Sequence, residues 1–339
     1  MSVYHPTVRS TRRLAALAFI LVFVMSCTDR AAPQPPGTTI EAPHTSAEAP
    51  AERLFLLDNT GFYELTDNQR TLLVARPEGT FIYDAAISPD GTDVALAIQP
   101  PPRQTPSGYN FGVDLYVARD GGEPVPVAIH ERIAETMSRP IWLPGTDKLI
   151  FAVLGRDETG AADLRIETVD LVTGDRMRYV EDALEPALSP DAASLAYVRY
   201  DQVGAEIIML MDLATGDSRP LLPEHQRMSN VANLAWAPDG ARLAFAASDP
   251  ITLLAPGGGL RAAVAHPTLR DVWLVNLDGT ALHRITEIAD ATLSLAWAAD
   301  NRHLYALGDT GFWLVDTTGG ALELIGDPNL AGRVQTLFP

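Results

Sequence analysis

Two kinds of apolar pattern alternate along this chain. The first is a pair of nearly unbroken apolar runs joined by a tight turn. In the clearest copy Leu234-Ala235-Trp236-Ala237 leads into Pro238-Asp239-Gly240 and out through Leu243-Ala244-Phe245-Ala246-Ala247. The second is a more polar hairpin around a glycine, such as Val272-Trp273-Leu274-Val275-Asn276 before Asp278-Gly279-Thr280. Short β-prone runs bounded by turn residues predict strands. In the turn itself, proline presets φ at the second position and glycine takes a positive φ at the fourth. A type I turn closed by a left-handed residue gives a bulged hairpin that suits the twist of its strands.

The first pattern recurs. It is seen as Ile87-Ser88-Pro89-Asp90-Gly91, as Trp142-Leu143-Pro144-Gly145, and as Leu188-Ser189-Pro190-Asp191. A decayed copy is Ala296-Trp297-Ala298-Ala299-Asp300. Marked at positions 89, 144, 190, 238 and 299, the turns lie 55, 46, 48 and 61 residues apart. Strand-built repeats of about 40–50 residues are the signature of a β-propeller. A polar hairpin follows each copy, with turns at 120–122, 173–175, 215–217, 278–280 and 318–320. Continuous apolar strands fit the inside of a blade, covered on both faces, and alternating strands fit the wet rim. Residues 53–74 supply only three strands, and Arg333-Val334-Gln335-Thr336-Leu337-Phe338 is a β-prone run without a partner. Pairing that run beside Leu54 closes the ring and removes an open sheet edge. The expected fold is therefore all-β: a six-bladed propeller of four-stranded antiparallel blades over 53–339, closed by the C-terminal strand completing the first blade.

The Ser-Pro-Asp-Gly hairpins at 88–91 and 189–191 (Ala192 standing for Gly in the latter), with Ala237 to Gly240, resemble the repeats of the TolB-type β-propeller. Related repeats occur in prolyl oligopeptidases. The resemblance implies an architecture over 53–339, not a partner or an activity. TolB carries an α/β domain ahead of its propeller and prolyl oligopeptidases add a hydrolase domain; here a tether is expected before the propeller and nothing after it.

Residues 1–13 carry three arginines and no acid, and 14–24 are an unbroken apolar run. That run is short for a permanent span, which needs about 20 residues, and fits a signal peptide. It ends in Val24-Met25-Ser26-Cys27, which resembles a lipobox, the cysteine becoming a lipidated N-terminus. An ordinary signal peptide with an incidental cysteine would share the run, but the chain's one cysteine falls where the motif requires it. The organisation read is a signal peptide over 1–26, lipidated Cys27 and a Pro-, Ala-, Thr- and Glu-rich tether to 52, then the propeller. An exported protein, anchored by lipid to a membrane of the cell envelope, is expected.

Formal charge is −18, and loss of Arg9, Arg12 and Arg13 with the signal peptide takes it to −21. This argues against nucleic acid as a partner, since phosphate binding needs a basic surface. One cysteine allows no internal disulfide. There is no Gly-x-Ser-x-Gly elbow and no His-x-His or His-Glu-x-x-His. His130, His225, His266, His283 and His303 are isolated in sequence, so no metal and no cofactor is expected. Gly257-Gly258-Gly259 lacks the strand-to-helix context of a phosphate loop. Turn chemistry accounts for Asp90, Asp191, Asp239 and Asp278. Trp142, Trp236 and Trp297, at equivalent places, read as packing between blades.

In a four-stranded antiparallel blade the inner and outer turns share one face. The links from second to third strand and from blade to blade share the other. The long connections 99–112, 154–163, 222–230 and 248–270 all fall on this second face, which marks it as the binding side. Candidates on it are Arg103, Tyr109 and His266, with Arg261 and Pro267 in the same loop as His266. Asp84, Arg139, Glu185, Asn230 and Thr292 are expected to ring the channel mouth. The function read is non-catalytic: a monomeric envelope module that binds or scaffolds a protein or peptide partner through its long-loop face. The alternative is an enzyme or small-ligand protein, carbohydrate-type, with its site in the central channel; a pocket with a strongly shifted carboxylate or histidine would favour it.

Overall fold

Six four-stranded antiparallel sheets stand around an axis in the computed structural model. It describes residues 52–66, 69–105, 108–201, 204–248, 269–326 and 332–337. The expected signal peptide over 1–26, Cys27 and the expected tether up to residue 51, together with Arg261, His266 and Pro267, lie outside the described residues.

The first blade is completed as expected. Arg333–Leu337 lies innermost and pairs antiparallel with Arg53–Leu57, in the register Leu54↔Thr336 and Leu56↔Val334. Gly61–Thr66 and Gln69–Ala75 continue the sheet outward. Innermost strands of the second to sixth blades are Phe81–Ile87, Thr136–Leu143, Ala183–Leu188, Ser229–Trp236 and Ser294–Trp297. The last strand covers the inner edge of Arg53–Leu57 and joins the two ends of the chain in one blade.

The repeated turn works as its chemistry requires. The Ser88 hydroxyl donates to Asp90 and accepts the Asp93 N–H at 2.9 Å, while the Gly91 N–H donates to the Ser88 carbonyl at 2.8 Å. Gly91 and Gly240 have φ of 75° and 67°. Ala192 and Asn301 hold the same place at 55° and 56°, so the degenerate copies keep the left-handed turn without glycine. Asp90, Asp191, Asp239 and Asp278 each accept hydrogen bonds from their own turns.

The core is the set of layers between neighbouring blades. Phe55, Leu96 and Ile98 fill the layer between the first and second, and Leu115, Leu149 and Phe151 the next. Val198, Leu210, Leu243 and Phe245 pack the fourth against the fifth. Three tryptophans pin these layers. Trp142, Trp236 and Trp297 donate their indole N–H to the carbonyls of Ala86, Ala187 and Ala235, at 3.0, 2.9 and 3.0 Å. Each bond crosses to the innermost strand of the preceding blade.

Two connections differ from the expectation. Residues 154–163 are not a long loop: Lys148–Arg156 and Ala162–Asp170 stay paired out to Arg156↔Ala162 and leave a turn of five residues. Within 99–112 a second hairpin forms, Arg103–Thr105 against Gly108–Asn110. The chain reaches the first blade on the short-turn face. There Glu52 accepts the Ala299 N–H in the inner turn of the sixth blade and the Tyr305 hydroxyl at 2.7 Å.

Candidate functional site on the loop face and the axis

Five innermost strands place a polar residue five positions before the turn proline or its equivalent. These residues are Asp84, Arg139, Glu185, Asn233 and Ser294. The closing strand supplies Arg333 at the same level. Bulges put these side chains on the axis: the ladder slips between Ile82 and Asp84, Ser138 and Ile141, and Leu184 and Ala187. Arg139, Glu185 and Asn233 have φ of 53°, 55° and 55° there. A β-bulge re-aims one residue, and here it turns polar groups inward from otherwise apolar strands.

Five of the six form a closed circuit. The Arg333 guanidinium lies 3.2 Å from Asp84 and donates to the Asn233 amide oxygen at 3.1 Å. Asp84 accepts the Arg139 backbone N–H at 3.0 Å. Arg139 pairs with Glu185 at 2.8 Å, and Glu185 accepts the Asn233 N–H at 2.8 Å. The sixth, Ser294, accepts the Val334 N–H at 3.2 Å. The first and fifth blades are not neighbours, so the Arg333–Asn233 bond reaches across the axis. Two guanidiniums and two carboxylates make the circuit neutral. Burial works against the Glu185 charge, but Arg139, the Asn233 N–H and Arg333 outweigh it and hold its carboxyl below the usual range. Burial, and then the neighbouring Arg139, lower the Arg333 pKa. Groups that hold each other this fully brace the channel.

Arg139 and Glu185, candidates from sequence, therefore meet each other on the axis. Asn230 and Thr292 sit three and two residues before the circuit positions. The Asn230 carbonyl accepts from Arg270 at 2.8 Å and its amide donates to Ser248 at 3.0 Å. Asn233, Ser294 and Arg333 were not singled out from sequence; the shared offset from the turn was the signal available.

The second-blade hairpin carries the other two described candidates. Arg103 is engaged by Asp114, which is buried and also bonds His130. Nearby, buried Arg165 is held by Glu135 at 2.6 Å, by Asp163 at 2.8 Å and by Glu167. Burial opposes the Glu135 charge, and Arg165 with the Glu131 N–H keeps that carboxyl low. Arg103 thus fixes the hairpin to the blade and leaves its apolar residues outward. Tyr109 and Phe111 are 64% and 46% exposed, Phe81 is 54% and Ile133 52%. The Phe111 carbonyl accepts the Ala134 N–H at 2.7 Å, which sets Ile133 beside the hairpin.

Among the described residues no group of three or more His, Cys, Asp or Glu side chains converges to hold a metal. No family model matches the chain, and no curated protein matches it in sequence. Solved structures do match its fold. TolB from Acinetobacter baumannii superposes with a TM-score of 0.55 at 13% identity, over 84% of this chain and 66% of that one. A protein assigned as TolB from Agrobacterium tumefaciens gives 0.50 at 18% identity, over 85% and 98%. An oligogalacturonate lyase in complex with manganese gives 0.51 at 14% identity, over 85% and 74%. At these identities the likeness is one of fold, and the fold is a six-bladed β-propeller of TolB type. The chain spans just under two thirds of the Acinetobacter protein.

Proposed function

We propose that this protein is a non-catalytic binding module of the cell envelope that takes a protein or peptide partner on its long-loop face. The observation that carries the proposal is the outward set of Phe81, Tyr109, Phe111 and Ile133. Aromatic residues exposed together on a rigid base are the anchors of protein interfaces. The base is rigid because Arg103 locks the hairpin to buried Asp114. The likeness to TolB structures supports a partner in the envelope, and the surplus of acidic charge disfavours nucleic acid.

The anchor fits the same picture. A lipid on Cys27 would lead through the tether to Glu52, which sits on the short-turn face. The long-loop face is the opposite one, so the point where the tether joins the propeller leaves it uncovered. Along the axis, the neutral circuit already satisfies the groups a channel ligand would need.

Photo-crosslinking in living cells tests this. A crosslinker at Tyr109 or Phe111 is expected to capture a defined protein, and one at Val172, on the opposite face and 75% exposed, is expected to capture none. The reverse pattern, or no adduct from either loop position, overturns the proposal. Cys27→Ser is expected to move the protein from the membrane to the soluble fraction, and retention in the membrane would place the anchor elsewhere.

A further inference from the structure

The base of the second-blade hairpin hides a titratable group that the circuit on the axis does not use. His130 is 3% exposed and Asp114 is 1% exposed. One carboxylate oxygen of Asp114 accepts the His130 backbone N–H at 2.6 Å and also faces the ring at Nδ1; the other accepts from Arg103. Turned to a carboxylate, Nδ1 carries the hydrogen and Nε2 is left with a bare lone pair. Nε2 is buried and has no hydrogen-bond partner among the described residues. The ring is pressed against Gly112, where a Cβ would come within 2.7 Å of its Cγ and 2.8 Å of its Cδ2. One guanidinium nitrogen of Arg103 stands 3.5 Å from Nδ1, while the rest of that side chain reaches solvent.

The other charges around the ring are directed elsewhere. The Glu135 carboxylate is held by Arg165 at 2.6 Å and by the Glu131 N–H at 2.9 Å. Only its backbone carbonyl comes close, accepting the Val113 N–H at 3.0 Å. Arg176 donates to Glu167 at 2.7 Å and to the Ile129 carbonyl at 3.0 Å, and Arg132 pairs with Asp163 at 2.7 Å. Burial, and then Asp114, raise the Tyr116 hydroxyl, so that group stays neutral. Asp114 and Arg103 therefore cancel one another. An imidazolium at His130 would be a surplus positive charge beside the guanidinium, and it would bury an N–H on Nε2 with no acceptor. Both consequences are costly away from water.

We propose that His130 is a pH-sensitive latch on the hairpin. Neutral, it shares Asp114 with Arg103 and the hairpin is shut; protonated, it keeps Asp114, and Arg103 swings out to water and frees the hairpin. Arg103 is the partner that yields because its side chain is already 42% exposed, whereas His130 is also fixed to Asp114 through its backbone N–H. The sign follows from proton linkage: the open form takes up a proton at Nε2 that the closed form has no place for, so acid favours opening. A solvated histidine titrates near about 6.5, so the ratio of open to closed hairpin is expected to rise about tenfold between pH 7.5 and pH 5.5. Two backbone bonds at the hairpin base report the state: Val113 N–H to the Glu135 carbonyl at 3.0 Å, and Ala134 N–H to the Phe111 carbonyl at 2.7 Å. Opening also parts Tyr109 and Phe111 from Ile133. Release of a partner in acid rests on the reading of that face given above; the latch itself does not.

Amide hydrogen exchange of the purified protein at pH 7.5 and pH 5.5, each corrected for the intrinsic exchange rate, tests the latch with no partner present. Protection at Val113 and Ala134 is expected to fall about tenfold at the lower pH. In the fourth-blade strand Ser194–Tyr200 it is expected to change by less than about twofold. His130→Asn keeps an N–H toward Asp114 and has no proton to gain, so its protection at the two amides is expected to be equal at both pH values. Arg103→Gln removes the arm of the latch and is expected to be less protected than the parent at pH 7.5. Parental protection that is the same at both pH values, an equal fall in Ser194–Tyr200, or a His130→Asn protein that melts cooperatively and keeps the tenfold step would each overturn the proposal. If His130→Asn does not fold, Arg103→Gln decides: protection equal to the parent's at pH 7.5 overturns it.

Discussion

Replacing Arg333 with methionine tests how the ring is locked. Its guanidinium reaches three acceptors: Asp84 at 3.2 Å, the Asn233 amide oxygen at 3.1 Å and the Tyr83 carbonyl at 3.1 Å. Hydrogen bonds to charged groups contribute about 1.5–3 kcal/mol each when fully shielded. Breaking one side of a buried ion pair costs about 3–5 kcal/mol. The Arg333 side chain is 29% exposed, so channel water replaces part of what is lost, and the low end applies, about 3 kcal/mol. A shift of about 2 °C per kcal/mol is expected for a domain of this size, so Tm should fall by about 6 °C. Asp84→Asn removes the other charge, and the double variant should be less damaged than the two singles predict. A coupling of about 1–2 kcal/mol is expected from urea unfolding of all four proteins. A single-variant loss under about 1 kcal/mol, or additivity within about 0.5 kcal/mol, would refute the reasoning.

Trp236→Phe keeps most of the ring volume but leaves the buried Ala187 carbonyl without its donor, so urea unfolding should show a loss of about 1–3 kcal/mol. Gly332→Ala should loosen the closing strand, because Gly332 has φ of +147° and a Cβ there would lie 1.8 Å from the Leu57 carbonyl oxygen. Carboxypeptidase should then trim the C-terminus faster and Tm should drop, and parental resistance to trimming would count against the closure geometry. The pH dependence has two separable limbs. Glu206, raised from 4.5 to about 7, lets the folded state hold a proton that the unfolded chain releases, so its contribution to stability falls as pH rises from about 4.5 through 7. Glu185 and Glu64 are depressed, so their contribution is present above about pH 4.5 and is lost as pH falls through their folded values. Glu206→Gln should flatten a plot of Tm against pH between 5 and 8 and leave the acid limb unchanged.

The propeller was legible because its turns state their own geometry. Pro89, Pro190 and Pro238 with their following aspartates dictate the same local bonds wherever they occur, and unpaired Arg333 to Leu337 had one natural place to go. Where the local signal weakened, tertiary pairing decided. Gly155 and the polar stretch Asp157-Glu158-Thr159-Gly160 read as a loop, yet the strands continued because Arg156 and Ala162 add the ninth pair to one continuous ladder. The environment of Glu206 was not legible at all. Glu206 looks like the polar first residue of an apolar strand, and what surrounds its carboxylate, the Val231 N–H and Arg270, comes from the fifth blade.

The axis shows why a repeat sequence reveals its scaffold before its site. Each blade presents one residue at the same offset from its turn, and five blades chose five different residues there: Asp84, Arg139, Glu185, Asn233 and Ser294. Taken singly, each is an odd polar residue in an apolar strand. Their meaning appears only when the ring brings positions about 50 residues apart within 3 Å, and when Arg333, supplied by the closing strand, joins Asp84 to Asn233 across the axis. Repeat identity therefore follows from sameness between blades, and function from the differences. The place to look for the function of this chain is where the blades disagree: the circuit positions and the inserted hairpin bearing Tyr109.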